Sequence, residues 1–83
     1  MKHELFSHVI LVQDLPAHGL CRGDLATVVE QYGGASDQEP GYELEVFNAV
    51  GETVAVITVR ESQVEAPRRD ERLCVRHAVE SAG

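Results

Sequence analysis

Apolar and polar residues alternate most regularly between residues 42 and 48 of this chain. Tyr42, Leu44 and Val46 fall on one face of an extended segment, and Glu43 and Glu45 fall on the other. Successive side chains of a strand point to opposite faces, so this pattern predicts a strand with one face in the core and one face in water.

Four more strands are predicted from apolar runs that end at glycine, proline or polar turn residues. The five predicted strands cover residues 6–14, 25–32, 42–48, 52–59 and 64–66. A short loop over residues 48–51 joins the third strand to the fourth as an antiparallel hairpin. The segment 61–65 predicts one helical turn that leads into the closing strand, with Val64 as its anchor.

These elements predict an all-β fold, a small SH3-like five-stranded β-barrel whose closure removes exposed strand edges. Alternation and distance from turns give the predicted core, which consists of Leu11, Leu25, Val28, Leu44, Val46, Val56, Ile57 and Val64. The barrel domain spans residues 1–66, and residues 67–83 form a charged C-terminal tail. This tail is expected to be either flexible or a short amphipathic helix.

A glycine-flanked turn precedes the second strand. Gly23 reaches positive φ without steric cost and Asp24 can bond its own backbone, so Arg22-Gly23-Asp24 predicts a tight corner and not a ligand motif. The Gly33–Gly41 segment is rich in turn residues and predicts a surface loop.

Charge is distributed unevenly along the chain. Residues 1–65 contain eleven acidic residues against Lys2, Arg22 and Arg60, a net charge of −8, whereas residues 66–83 carry a net charge of +1. Nucleic-acid binding depends on lysine and arginine, so this body is expected to repel nucleic acid and to attract a basic protein. A negative charge of this size can also serve only to keep a protein soluble, so solubility remains an alternative to a basic partner.

Location follows from the apolar runs. Val9–Val12 is as long as any of them, and it is far shorter than the ~20 residues that a membrane-spanning helix needs. The start of the chain lacks the long apolar region of a signal peptide. We therefore expect a cytoplasmic protein of bacterial type that does not bind membranes.

Candidate chemistry is sparse. His18 and Cys21 have the spacing of metal ligands, but no second pair accompanies them, so we expect no metal, no cofactor and no catalytic residue. Cys21 and Cys74 are expected to be free thiols. The acidic residues of the middle strands and their hairpin remain, and we predict that they form one partner-binding patch. These residues are Glu30, Glu43, Glu45 and Glu52.

Several motifs in this order and spacing resemble one family. They are Asp14-Leu15-Pro16, Gly19-Leu20, Arg22-Gly23-Asp24, Thr27-Val28-Val29-Glu30, the 42–47 strand and the 51–59 strand. The chain resembles an uncharacterised bacterial family of small domains, domain-of-unknown-function family 4926. The resemblance implies an SH3-like β-barrel without assigned catalytic residues, similar in build to the barrel domain of nitrile hydratase β subunits. It also implies a genetic association with small toxin-like partners.

Two function classes follow. The first is a non-catalytic protein-binding module, such as the acidic, neutralising, antitoxin-like or immunity-like partner of a small basic protein. The second is an accessory subunit or maturation factor of a metalloenzyme, to which the nitrile hydratase likeness points. Neither hypothesis makes this chain an enzyme, and neither predicts whether it forms homo-oligomers.

Overall fold

The computed structural model describes residues 2–34 and 37–78, which fold into one antiparallel sheet. Its strands are β1 (His8–Leu11), β2 (Leu25–Tyr32), β3 (Gly41–Phe47), β4 (Thr53–Arg60) and β5 (Val64–Glu65). Short 3₁₀ helices form at Pro16–His18 and Glu61–Gln63. No helix in the described part of the chain is long and apolar enough to cross a membrane.

The strand order in the sheet is β4-β3-β2-β1-β5. The all-β prediction with five strands is confirmed, including the helical turn before a short last strand. Within the described ranges β4 and β5 are the two edges, and no strand pairing joins them into a closed barrel. β5 has only two residues, and both of them pair with β1.

One face of the sheet forms the core. The buried apolar residues are Val9, Leu11, Leu20, Ala26, Val28, Tyr42, Leu44, Val46, Ile57, Val59 and Val64. Most of the predicted core is confirmed, but Leu25 is only half-buried and Val56 is 55% exposed. Leu44 lies opposite Ile57, so the odd-numbered residues of this part of β4 point inward and Val56 points outward.

This difference between the two faces predicts the effect of two matched substitutions. Val46→Ala is expected to lower the free energy of unfolding by about 1 to 3 kcal/mol, because it leaves a cavity in the core. Val56→Ala removes the same atoms from the outer face and is expected to cost about 0.5 kcal/mol. Urea titration of both variants measures the difference, and equal effects would contradict the assignment of the faces.

β1 is shorter than predicted, four residues instead of the segment 6–14. Phe6 has a positive φ of 65° and is 74% exposed, so the chain turns just before the strand begins. After the strand, Leu15 and Leu20 form an isolated bridge that closes the loop around the first 3₁₀ helix. Leu20 is buried by this arrangement and adds to the core.

The corner before β2 is a tight turn, as predicted. Gly23 has a φ of +93°, which only glycine adopts easily. The Asp24 amide donates to the Cys21 carbonyl at 3.0 Å, and the Cys21 amide donates to Asp24 Oδ2 at 2.9 Å. The aspartate carboxylate is therefore held in a defined position on the turn.

Between residues 66 and 78 the tail forms neither a helix nor a strand, and a turn forms where the Glu71 amide donates to the Arg68 carbonyl at 3.1 Å. Leu73 and Val75 are 74% and 86% exposed, so they do not pack as the apolar face of a helix. Arg76 connects the tail to the body through an ion pair with Asp24. The remainder of the predicted tail, residues 79–83, lies outside the described residues, as do residues 35–36 of the predicted loop.

Candidate functional site

Three of the four predicted partner-binding residues share the outer face of the sheet, opposite the core. Glu30 of β2 lies directly opposite Glu43 of β3, and Glu45 lies two residues further along β3. Side chains of directly opposed residues are on the same face, with Cβ atoms about 5 Å apart. We call Glu30, Glu43 and Glu45 the acidic surface.

The neighbours of the acidic surface do not neutralise it. On β4, Thr58 lies opposite Glu43 and Val56 lies opposite Glu45. β1, β2 and β3 contain no lysine or arginine. None of the ion pairs within the described residues includes a member of the acidic surface.

The hydrogen bonds of these carboxylates are local. Glu45 Oε2 accepts the Thr53 hydroxyl at 2.7 Å, and Glu30 Oε1 accepts the amide of Gln31 at 3.1 Å. Glu30 is exposed and the other two are half-buried, so all three reach solvent. The acidic surface thus presents negative charge to solvent on the outer face of the sheet.

Glu52 lies apart from the other three, in the hairpin that joins β3 to β4. Its Oε1 accepts the Asn48 side-chain amide at 2.8 Å, and its backbone amide donates to Asn48 Oδ1 at 2.9 Å. This residue is exposed, but its bonds fix the hairpin loop. The structure therefore gives Glu52 a role in the turn and places it outside the acidic surface.

A second polar group lies on the core side and escaped the sequence analysis. Tyr42 is fully buried, and its hydroxyl donates to Glu61 Oε2 at 2.5 Å. The His3 amide donates to the same hydroxyl at 3.2 Å, and the two rings meet edge to face with centroids 5.2 Å apart. We call His3, Tyr42 and Glu61 the N-terminal cluster.

The N-terminal cluster ties the start of the chain to the sheet. The Gln31 side-chain amide donates to the His3 carbonyl at 2.8 Å, and the Lys2 amide donates to Glu61 Oε2 at 3.3 Å. His3 is 6% exposed, and its Nε2 is a buried atom without a hydrogen-bond partner among the described residues. These hydrogen bonds fix the N-terminal segment against the sheet, so the cluster is suited to a structural role.

The surroundings shift the pKa of each member. Burial lowers the pKa of His3 against the opposing effect of Glu61, so the imidazole is held neutral. Burial raises the pKa of Tyr42, and its hydrogen bond to Glu61 raises it further. The same hydrogen bond lowers the pKa of Glu61, which stays a carboxylate. These protonation states match the observed direction of donation, from tyrosine to glutamate.

The remaining candidates stay separate. His18 is exposed in the first 3₁₀ helix, while Cys21 is half-buried in the turn before β2. Cys21 and Cys74 are free thiols. Within residues 2–34 and 37–78, no three histidine, cysteine, aspartate or glutamate side chains come together in a way that could hold a metal ion.

Comparison with known proteins complements this geometry. Neither the curated proteins nor the solved structures give a match to this chain. Residues 5–66 match a family model, and this segment contains all five strands, the acidic surface and two members of the N-terminal cluster. The chain therefore belongs to the family described as Domain of unknown function (DUF4926).

Proposed function

We propose that this protein is a non-catalytic protein-binding module whose acidic surface binds a basic protein. The observation that carries the proposal is the direct opposition of Glu30 and Glu43, next to Glu45, on a face whose first three strands have no cationic residue. Directly opposed like charges on neighbouring strands destabilise a sheet, typically by about 0.2 to 1 kcal/mol. A cationic group from a partner would remove this repulsion on binding.

The acidic surface would act mainly on the rate and specificity of association. A net charge of −7 attracts a basic partner over long distances, and a clustered patch selects how the partner approaches. An antitoxin-like or immunity-like protein that neutralises a small basic protein needs this kind of fast and selective encounter. Cytoplasmic location fits such a role, because the two proteins would meet where they are made.

An SH3-like barrel is part of the same proposal. The β4-β3-β2-β1-β5 order supports it, as does the 3₁₀ helix that leads the chain from β4 to β5. Twist accumulates from strand to strand, which would bring the edges of a five-stranded sheet towards each other. The acidic surface would then lie on the outside of the barrel wall.

Charge reversal tests the proposal once a pull-down from the native host has identified the basic partner. Glu43→Lys combined with Glu45→Lys is expected to slow association at low salt by about tenfold or more, with less effect on dissociation. For the wild type, the association rate is expected to fall as salt rises, because charges are screened within about 8 Å at physiological ionic strength. Stopped-flow measurements over a salt series give both rates.

A matched control separates the acidic surface from net charge. Glu4→Lys combined with Asp37→Lys changes the net charge by the same amount, but Glu4 precedes β1 and Asp37 lies in the loop before β3. This control is expected to retain most of the association rate. Glu43→Lys alone places a lysine opposite Glu30 and is expected to raise stability slightly, so unfolding would not explain slower binding. An acidic partner, or equal rates for both double variants, would refute the proposal.

A further inference from the structure

A groove of about 910 Å³ lies between the sheet and the tail. Its apolar walls come from three places, namely Leu20 in the loop before β2, Leu25 at the start of β2, and Phe47 and Val54 beside the β3–β4 hairpin. Phe47 and Val54 are 44% and 56% exposed, so the groove offers uncovered apolar surface. Residues 73–78 of the tail form its remaining side.

Asp24 lines this groove with a carboxylate that hydrogen bonds hold in place. The Cys21 amide holds its carboxylate on the turn, and the carboxylate accepts two hydrogen bonds from Arg76. These run from Nε to Oδ1 at 3.2 Å and from Nη2 to Oδ2 at 2.5 Å. The Asp24 side chain is only 21% exposed, which strengthens the pair relative to one in open water. Paired bonds of this geometry select arginine over lysine.

The tail is held at this one point. Within its described part, the Asp24–Arg76 contact supplies the only side-chain hydrogen bonds and the only ion pair between residues 71–78 and the sheet domain. Leu73 and Val75 line the groove but keep 74% and 86% of their surface exposed, so they do not fill it. The tail also begins where the family match ends, at residue 66, whereas the sheet walls and Asp24 lie inside the match. The sheet walls of the groove and Asp24 thus lie within the family domain, and the tail that follows it forms one side of the groove.

We propose that the groove binds an extended, arginine-bearing segment of a basic protein, and that the chain's own tail occupies the arginine site in the free protein. Asp24 receives the arginine, and the walls formed by Leu25, Phe47 and Val54 receive apolar side chains on either side of it. Thr27 lines the groove and lies opposite Glu45, so the groove adjoins the acidic surface. The groove would hold one segment of the partner that the acidic surface attracts, so this inference rests on the proposed function.

The chain itself supplies a probe for this site. A fluorescein-labelled peptide with the sequence of residues 71–78, with Cys74→Ser to prevent oxidation, carries the same arginine as the tail. Full-length Arg76→Glu is expected to bind this peptide about tenfold more tightly than the wild type, because a tethered tail competes at a millimolar effective concentration. Fluorescence anisotropy at low ionic strength measures both affinities. The peptide with Arg76→Ala is expected not to bind.

Two further variants test whether the effect comes from net charge and whether Asp24 is required. Arg72→Glu is the matched control, because among the described residues the Arg72 side chain bonds only the Arg69 and Glu71 carbonyls, and this variant should bind the peptide as the wild type does. Asp24→Asn in the Arg76→Glu background should weaken binding at least tenfold. Asparagine keeps an oxygen for the Cys21 amide, so the turn is preserved, and thermal melting checks this.

Several results would overturn the inference. They are equal affinities of the wild type and Arg76→Glu, tighter binding by Arg72→Glu, no binding by Arg76→Glu, and full binding after Asp24→Asn. All these variants keep the acidic surface. If the peptide results fail but association with the partner still depends on salt and on Glu43, only the groove site is refuted. If the peptide binds as expected but association with the partner depends on neither, the acidic surface is refuted.

Discussion

Replacing Tyr42 with alanine is expected to lower the free energy of unfolding by about 3 to 5 kcal/mol, enough to leave much of this small domain unfolded. Tyr42 is the largest of the fully buried side chains. Its removal leaves a cavity beside Leu44 and also removes the hydroxyl that bonds His3 and Glu61. Urea unfolding followed by circular dichroism measures the loss.

Tyr42→Phe separates the ring from the hydroxyl. The ring stays in the core, but the His3 amide and Glu61 lose a partner, and an unpaired polar group in this setting costs about 1 to 3 kcal/mol. Tyr32→Phe is the matched control, because Tyr32 is 45% exposed at the end of β2, and it should change stability by about 0.5 kcal/mol or less. If Tyr42→Phe is as stable as the wild type, the N-terminal cluster does not clamp the fold.

Acidification is expected to destabilise the protein, first through His3. Burial lowers the pKa of His3 in the folded state, so the unfolded chain binds its proton more readily. The stability that the neutral imidazole provides is therefore complete above the ordinary pKa of about 6.5 and falls as the pH drops below it. Urea titrations between pH 7.5 and pH 5 measure this loss.

Glu61 acts in the same direction at lower pH. Its folded-state pKa is lowered from 4.5, so the stability it contributes is present above that value and is lost as the pH falls below it. Tyr42, whose pKa is raised from 10.0, produces a loss only as the pH rises above that value. Optimal stability is thus expected near neutral to mildly alkaline pH.

Removing the imidazole tests the first of these steps. His3→Leu is expected to flatten the loss of stability between pH 7.5 and pH 5, because the buried titrating group is gone. His18→Leu removes an exposed imidazole from the first 3₁₀ helix and is expected to keep the pH dependence of the wild type. An unchanged pH profile in His3→Leu would show that His3 does not control acid stability.

The local sequence pattern was sufficient to predict those elements that have regular alternation or characteristic turn residues. β3 was readable because each apolar residue alternates with a polar one, and the hairpin after it was readable from Asn48 and Gly51. Gly51 has a φ of +88°, and the Asn48 side chain bonds the loop amides. The corner at Gly23 follows the same logic. Turn chemistry and alternation act over a few residues, so the sequence states them directly.

The sequence pattern did not predict which residues of β4 face the core. Val54 to Val59 is apolar almost throughout, so either set of alternate residues can face the core. Pairing with β3 decides the question, since Tyr42 lies opposite Val59 and Leu44 opposite Ile57. The register shift beside Phe47 further separates the hairpin end of β4 from the rest of the strand.

The acidic surface could be predicted from the sequence only in part. The sequence placed Glu43 and Glu45 on one face of a strand, but the position of Glu30 opposite Glu43 depends on a register shift after Val28. Glu52 falls outside this surface because it lies in the loop between β3 and β4, where its side chain bonds Asn48. A pattern along one strand gives a face, whereas a patch across strands requires the register.

By itself the sequence determined an all-β domain with five strands, its tight turns and its strong negative charge, because these depend on alternation, backbone preferences and composition. Tertiary structure alone decided that His3 lies against Tyr42 and that Asp24 receives Arg76. These contacts join residues 39 and 52 positions apart. No local preference specifies such a pair, since it forms only when the register of the whole sheet brings both residues to the same place.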